Sequence, residues 1–224
     1  LPLAEKYGPN LKRYLDEQMD ESRGIVSQLR RWAVAGVHYI VPKLYINQRR
    51  YAPMPVIRMD WLEEVGLASP PPDDFDQFYE AMKEIKKAHP DSYWTTRGGI
   101  RRNLVLWAYP MGSGLGGWFR GQDAPYFDKT VDGGKWVYGP IHPEFKDVLA
   151  YFARAYEESI LHPDVASMTK TQWHEVNSTG KGFAGYDNWV FVGKWQPALR
   201  ETDPDGKWTI LPTLKGKKGR RQND

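Results

Sequence analysis

The stretch that most constrains the fold is Gly180-Lys181-Gly182-Phe183-Ala184-Gly185-Tyr186-Asp187-Asn188-Trp189-Val190-Phe191. It opens on glycines and small residues and continues as a run of strand formers. Gly182 and Gly185 leave room for close backbone approach. Read as packing, this is a buried strand followed by a turn, with Trp189 in the core. The same residues carry a second reading. A flat aromatic beside the short polar side chains of Asp187 and Asn188 is what a sugar ring needs: an apolar face to stack on and partners for its hydroxyls. Residue chemistry alone favours packing, because large aromatics more often pack than bind ligand.

The elements around this stretch interleave. Residues 9 to 18 read as a helix with Pro9 in its first turn and Leu11, Tyr14 and Leu15 on one face. A second helix is expected from about Asp20 to Trp32. Val37 to Val41 is a strand candidate stopped by Pro42, and Tyr45-Ile46-Asn47 and Val56-Ile57-Arg58-Met59 are two more. Asp60 is placed to cap a short helix over Trp61 to Val65 that Gly66 closes, and Pro70-Pro71-Pro72 is a rigid linker. Asp73 or Asp74 then caps a helix with Phe75, Phe78, Tyr79, Met82 and Ile85 on one face. A buried helix is expected over Asn103 to Tyr109, and a hairpin around Asp132-Gly133-Gly134. Pro143 opens the clearest helix, whose expected stripe is Phe145, Val148, Leu149, Phe152, Tyr156 and Ile160. Thr171 to Val176 reads as a short helix and Trp208 to Pro212 as a last strand. Helices alternating with strands predict an α/β fold with mainly parallel pairing.

The 224 residues suffice for one large domain or two small ones, and 41% hydrophobic with 26% charged residues describes a folded, soluble chain. No apolar run is long enough to span a bilayer. Cysteine is absent, which excludes disulfides and thiolate chemistry. The start, Leu1-Pro2-Leu3-Ala4-Glu5-Lys6, has neither an initiator Met nor the pattern of a signal peptide. The formal charge of +3 is mild and concentrates in Lys215 to Arg221, which reads as a solvated loop and not as a nucleic-acid-binding element. The 10 Trp, 13 Tyr and 8 Phe hint at a surface that stacks flat ligands, although a large core uses the same residues.

Arg58-Met59-Asp60-Trp61-Leu62-Glu63-Glu64-Val65-Gly66-Leu67, the proline linker and Asp74-Phe75-Asp76-Gln77-Phe78-Tyr79 together resemble the extracellular solute-binding proteins of bacterial ABC importers. The likeness is to the carbohydrate-binding type that includes maltose- and alginate-binding proteins. It continues in order through Leu3 to Leu11, Gly36 to Pro42, Pro143 to Pro163, Gly180 to Trp189 and Ile210 to Gly216. Each piece is weak alone; their order across nearly the whole chain is specific. The family's proteins are longer, so the chain looks like a middle portion of one.

The resemblance implies a periplasmic-binding-protein-like α/β fold of two lobes joined by strand crossovers. Residues 1–57 would be the end of the N-terminal lobe and the hinge crossover. Residues 58–205 would form the C-terminal lobe, and 206–224 would return into the N-terminal lobe. Such proteins clamp a ligand between lobes, and the closed form docks on a membrane permease. By resemblance Trp189 stands where maltose-binding proteins place a stacking tryptophan, with Asn188 and Asp187 on the same wall. Tyr45 and Asn47 would reach the cleft from the hinge. Residues 93 to 102 match a strand-to-helix turn at the cleft, which puts Trp94 and Arg97 beside it. Arg97 could hold a hydroxyl pair, a carboxylate or a sulfate in bidentate fashion, or pair with a protein carboxylate. With Arg101 and Arg102 it forms an arginine cluster, of which at most two members can point inward. An acidic oligosaccharide, uronate or sulfated, would satisfy such a site; a neutral one would leave Arg97 needing a carboxylate, with Asp187 the nearest candidate. The implied protein is exported, periplasmic or lipid-anchored at the outer face of the membrane, monomeric, and has no cofactor, metal or nucleic-acid partner.

Other signals fit less well. Gly112 to Gly117 matches G-x-G-x-x-G but no helical pattern or placed acid follows it, so it reads as a loop. The histidines His38, His89, His142, His162 and His174 show no metal-ligand spacing. Where alginate-binding relatives carry a calcium loop, His89 to Trp94 offers one Asp, too few oxygens for that ion. Asn177-Ser178-Thr179 is a glycosylation sequon that reads as accidental. A polysaccharide-cleaving enzyme is the alternative. It needs two carboxylates facing each other across a cleft, and Asp128, Glu144, Glu157, Glu158 and Asp187 mostly fall on predicted helix surfaces or turns.

Overall fold

The helix expected at residues 9–18 forms over Pro9–Glu17 (α1), and Lys12 pairs with Asp16 one turn on at 2.7 Å. Ala33–Val34 (β1) and Val37–His38 (β2) make a small antiparallel hairpin. Its turn, Ala35-Gly36, has φ of 50° and 77°, the geometry that makes glycine useful there. The strand expected over Val37 to Val41 thus begins as the second arm of a hairpin. In this computed structural model residues 6–17, 33–38, 53–97, 104, 106–108, 111, 125–128, 133–141 and 143–216 are described. The expected helix from Asp20 to Trp32, Tyr45, Asn47, Arg101, Arg102 and the glycine loop at 112–117 lie outside them. The chain divides into two units, Leu1–Gln48 and Arg49–Asp224.

The second unit opens with Pro53–Arg58 (β3), followed by Met59–Glu64 (α2). Asp60 does not cap that helix, because the helix already starts at Met59; Asp60 instead binds the buried Arg58. Gly66 ends the turn with φ of 74°. Phe75–Ala88 (α3) is capped by Asp74, whose Oδ1 accepts the Gln77 N–H at 2.8 Å, and it buries the expected face. Tyr93–Trp94 (β4) and the hairpin Tyr126–Asp128 (β5) with Lys135–Val137 (β6) follow. Leu104 and residues 106–108 are helical, within the buried helix expected there.

Phe145–Glu157 (α4) buries Val148, Tyr151, Phe152 and Ala155. Leu149 and Tyr156, expected on that face, are 46% and 51% exposed. The true stripe steps 148, 151, 152, 155 and leaves both residues about 100° off it, since each follows a buried residue by one position. Lys170–Ser178 (α5) carries a capping box between Thr169 and Gln172. Gly182–Asn188 (β7) is the strand read from the glycine-rich stretch; a 3-10 turn, Trp189–Phe191, ends it. Val192–Thr202 (α6) was not anticipated, because Pro197 lies inside it. Trp208–Ile210 (β8) is the last strand.

The main sheet has the order β4-β7-β3-β8. Only β4 and β7 are parallel; β3 runs antiparallel to both β7 and β8. The expectation of mainly parallel pairing is therefore corrected. Interleaved helices allow a strand to return in either direction, and only a single-crossover connection forces the same one.

Two aromatic clusters flank this sheet. Trp107 centres the larger, with ring centroids 4.7 Å from Phe75, 4.9 Å from Trp94 and from Tyr151, and 5.4 Å from Tyr186. The smaller joins Trp173, Phe191, Trp195 and Trp208. Among the described residues five tryptophans are buried, so much of the aromatic excess is core.

Candidate functional site

The parallel strand β4 ends opposite Ala184, midway along β7; the chain runs on from it as Thr95-Thr96-Arg97, and β7 continues to Asn188 and the turn at Trp189. Strand ends of open α/β sheets are where such folds place ligands. Asp187, 2% exposed, accepts the Asn188 backbone N–H on Oδ1 at 2.6 Å and Arg97 Nε–H on Oδ2 at 3.0 Å. The Arg97 guanidinium also lies 4.9 Å from the Phe191 ring centre and 5.9 Å from Trp173. Asn188 Oδ1 accepts the Val190 N–H at 3.1 Å, which holds the turn that carries Trp189. The Trp189 side chain is outside the described residues. The structure thus brings Asp187, Asn188, Arg97 and the Trp189 backbone to one sheet edge.

Trp94 does not fit a ligand role. It is fully buried, with Trp107 and Phe152 each 4.9 Å from its ring, so neither face is open for stacking. Tyr45 and Asn47 fall outside the described residues. The room at Gly182 serves packing: a Cβ there would stand 2.1 Å from Asn177 Oδ1. Asn177 is fully buried, accepts from Thr95 Oγ1 at 3.0 Å and donates to the Trp173 carbonyl at 2.7 Å. Its sequon is consequently inaccessible in the folded chain.

Three further residues of the site escaped the sequence reading. Phe191 floors Arg97. Lys194 lies on the first turn of α6, its Nζ 5.9 Å from the Phe191 ring. His174, on α5, has its ring centroid 5.2 Å from Phe191 and 4.8 Å from Trp173. Its Nδ1 accepts the Trp195 indole N–H at 3.0 Å. Burial lowers the His174 pKa; Lys170, Lys194 and Arg97 lower it further, and Asp187 opposes them. The signal in the sequence was only the W-H pair at the start of a helical pattern.

A separate cavity of about 440 Å³ lies between the start of α3, the side of α4 and Lys215-Gly216, lined by Asp74, Asp76, Asp147, Tyr151 and Arg154 among others. None of the expected site residues lines it. Lys215 pairs with Asp73 at 2.6 Å, so the basic run begins with a neutralised member. Among the described residues no group of three or more His, Asp or Glu could hold a metal ion, and no helix is long and apolar enough to cross a membrane.

This mixed sheet with covering helices is the α/β architecture of periplasmic binding proteins, and the chain superposes on calcium-free alginate-binding protein AlgQ2 with TM-score 0.68. That match is 20% identical and covers 98% of this chain and 42% of the other. No protein-family model matches the chain. It is 29% identical over 177 residues to lipoprotein LipO of Bacillus subtilis (strain 168), over 74% of this chain and 33% of that protein. It is also 29% identical over 175 residues to the polygalacturonan/rhamnogalacturonan-binding protein YtcQ of the same organism, over 75% of this chain and 32% of that one. The chain spans about a third of the length of these curated relatives. The resemblance drawn from the sequence is thus to proteins of the kind expected: a lipoprotein and binders of carbohydrate.

Proposed function

We propose that this chain supplies one wall of a carbohydrate-binding site in an exported solute-binding protein that delivers an oligosaccharide to an ABC permease. The observation that carries the reading is the Arg97–Asp187 pair, formed between the segment that follows β4 and the last residues of β7, beside the turn that bears Trp189. A fixed ion pair presents directed donors and acceptors for hydroxyls, and a tryptophan supplies the stacking face. Binding requires no bond-breaking machinery, and two of the relatives, YtcQ and AlgQ2, are named as binding proteins. In this reading residues 58–205 belong to one lobe, the segments around 42–57 and 208–214 are crossovers, and the ligand lies between lobes. Export, with or without a lipid anchor, and a monomeric state follow from the same reading.

An acidic ligand is favoured over a neutral one. Arg97 is paired with Asp187, so it adds little net charge. Lys170 and Lys194 both act on His174 in the sense of positive charge, which lowers its pKa. Relatives named for polygalacturonan and alginate point the same way.

The test is calorimetric titration of the chain and its Trp189→Ala variant with tetragalacturonate and with a neutral tetrasaccharide, each at two salt concentrations. The expected result is salt-sensitive preference for the acidic sugar and a loss on the order of 2 kcal/mol, about thirtyfold, in the variant, with unchanged circular dichroism. Unchanged affinity in the variant, or release of reducing ends from the sugar, overturns the reading. Tighter, salt-insensitive binding of the neutral sugar overturns only the charge assignment.

A further inference from the structure

The smaller aromatic cluster contains one polar ring whose two nitrogens meet different surroundings. His174 Nδ1 points at the indole N–H of Trp195, a residue 1% exposed. An imidazole nitrogen that accepts a hydrogen bond carries no proton, so the neutral ring holds its proton on Nε2. Nε2 sits across the ring from Nδ1, and His174 as a whole is half-buried. Its ring faces Phe191 at 5.2 Å, the residue that also floors Arg97. The charged groups around it come from four elements: Lys170 on its own helix α5, Lys194 on α6, Arg97 after β4 and Asp187 on β7. It therefore stands against Phe191, which Arg97 also contacts, within reach of the Arg97 and Asp187 charges.

We propose that His174 is a ligand-contacting residue of this site, locked by Trp195 as the tautomer that presents Nε2–H to an oxygen of the bound sugar. The proposal rests on the site assignment made above. A neutral donor suits a hydroxyl or a carboxylate oxygen equally. Holding Nδ1 as an acceptor keeps the ring from gaining a second proton, so the donor is the same through mildly acidic pH. Trp195 is a positioning residue here. It orients the ring and fixes the tautomer without touching ligand.

The experiment follows the His174 ring nitrogens by long-range ¹H–¹⁵N correlation while tetragalacturonate is titrated into the chain. The expected result is the Nε2–H tautomer in the free protein and a shift of the Nε2 resonance on saturation. His174→Ala should weaken binding about tenfold with the melting curve little changed, and His174→Gln should recover part of that loss. Trp195→Phe keeps a ring in place but removes the donor. It should mix the tautomers and make affinity pH-dependent between about pH 5 and 7. If Trp189→Ala weakens binding while His174→Ala does not and Nε2 does not move, the His174 assignment falls and the site stands. If no oligosaccharide binds the chain at all, the site assignment falls and this inference with it.

Discussion

The two aromatic clusters share a residue type and differ in what is threaded through them. Around Trp107 the rings meet chiefly one another, and the polar contacts sit on its tyrosines: Arg154 lies 3.5 Å over the Tyr79 ring and Tyr151 Oη donates to the Phe75 carbonyl at 2.9 Å. The indole nitrogens of Trp94 and Trp107 are buried with no hydrogen-bond partner among the described residues. Its tyrosines are sealed in: burial raises Tyr79 to about 12 and pushes Tyr151 well above its ordinary value. Around Trp195 the same kind of ring is committed to polar neighbours. Trp195 donates to His174, Trp208 Nε1 donates to the Asn177 carbonyl at 3.3 Å, and Arg97 lies against Phe191. The first cluster fills volume. The second fills volume and also orients polar groups toward a sheet edge. Aromatic count alone does not separate these roles; the hydrogen bonds of Trp195 and Trp208 do, although Trp173 Nε1 in the second cluster is also buried with no hydrogen-bond partner among the described residues.

If that distinction is right, the largest loss of stability comes from the first cluster. Trp107→Ala removes a fully buried indole that touches rings from α3, β4, α4 and β7. The expected cost is about 3–5 kcal/mol, read as a lower urea midpoint. A cost under about 1 kcal/mol would mean that Trp107 does not centre this core. The next effect is smaller and confined to the second cluster. Gly182→Ala drives a Cβ into Asn177, which ties Thr95, Trp173 and Trp208 together. Overpacking there should cost about 1–3 kcal/mol. It should also weaken sugar binding by more than its stability cost explains, because β7 carries Asp187. A Gly182→Ala protein that melts early yet binds normally would separate the cluster from the site.

The sequence makes some of this legible and hides the rest for physical reasons. Local rules suffice for Asp74 as a cap, for Gly66 as a helix stop and for the hairpin that joins β5 to β6 near Gly133-Gly134, because each depends on backbone geometry within a few residues. The strand at Gly182–Asn188 is legible for the same reason. The direction of β3 is not, since pairing with β7 joins residues more than a hundred positions apart. Helix α6 is masked by Pro197, which reads locally as a breaker. Asp187 and Arg97 are legible as candidate site residues by resemblance, and their pairing follows from charge. His174 is invisible because its role depends on Trp195, and no local pattern announces a tertiary hydrogen bond. Trp94 misleads, since a tryptophan at a strand end looks alike whether its rings are covered or open.

The smallest expected effect compares the clusters through their histidines. His162 sits at the edge of the first, its ring 5.0 Å from Tyr93 and its Nδ1 accepting the Asp164 N–H at 3.1 Å. Burial lowers its pKa below 6.5, Lys86 adds to that and Asp164 opposes it. His174 is lowered likewise, by burial first and then by Lys170, Lys194 and Arg97. In both cases the unfolded chain takes up the proton at a higher pH than the folded one. Their contribution to stability is therefore complete above the unfolded value of 6.5 and is lost as pH falls below it. Urea midpoints measured from pH 7.5 down to 5 should decline, and His162→Gln and His174→Gln should each flatten that decline. Trp195→Phe should flatten it as well, because freeing Nδ1 lets the folded state bind the proton, while no change near His162 can mimic that. An acid slope untouched by Trp195→Phe would mean that the indole does not hold the ring, and the second cluster would then differ from the first in name only.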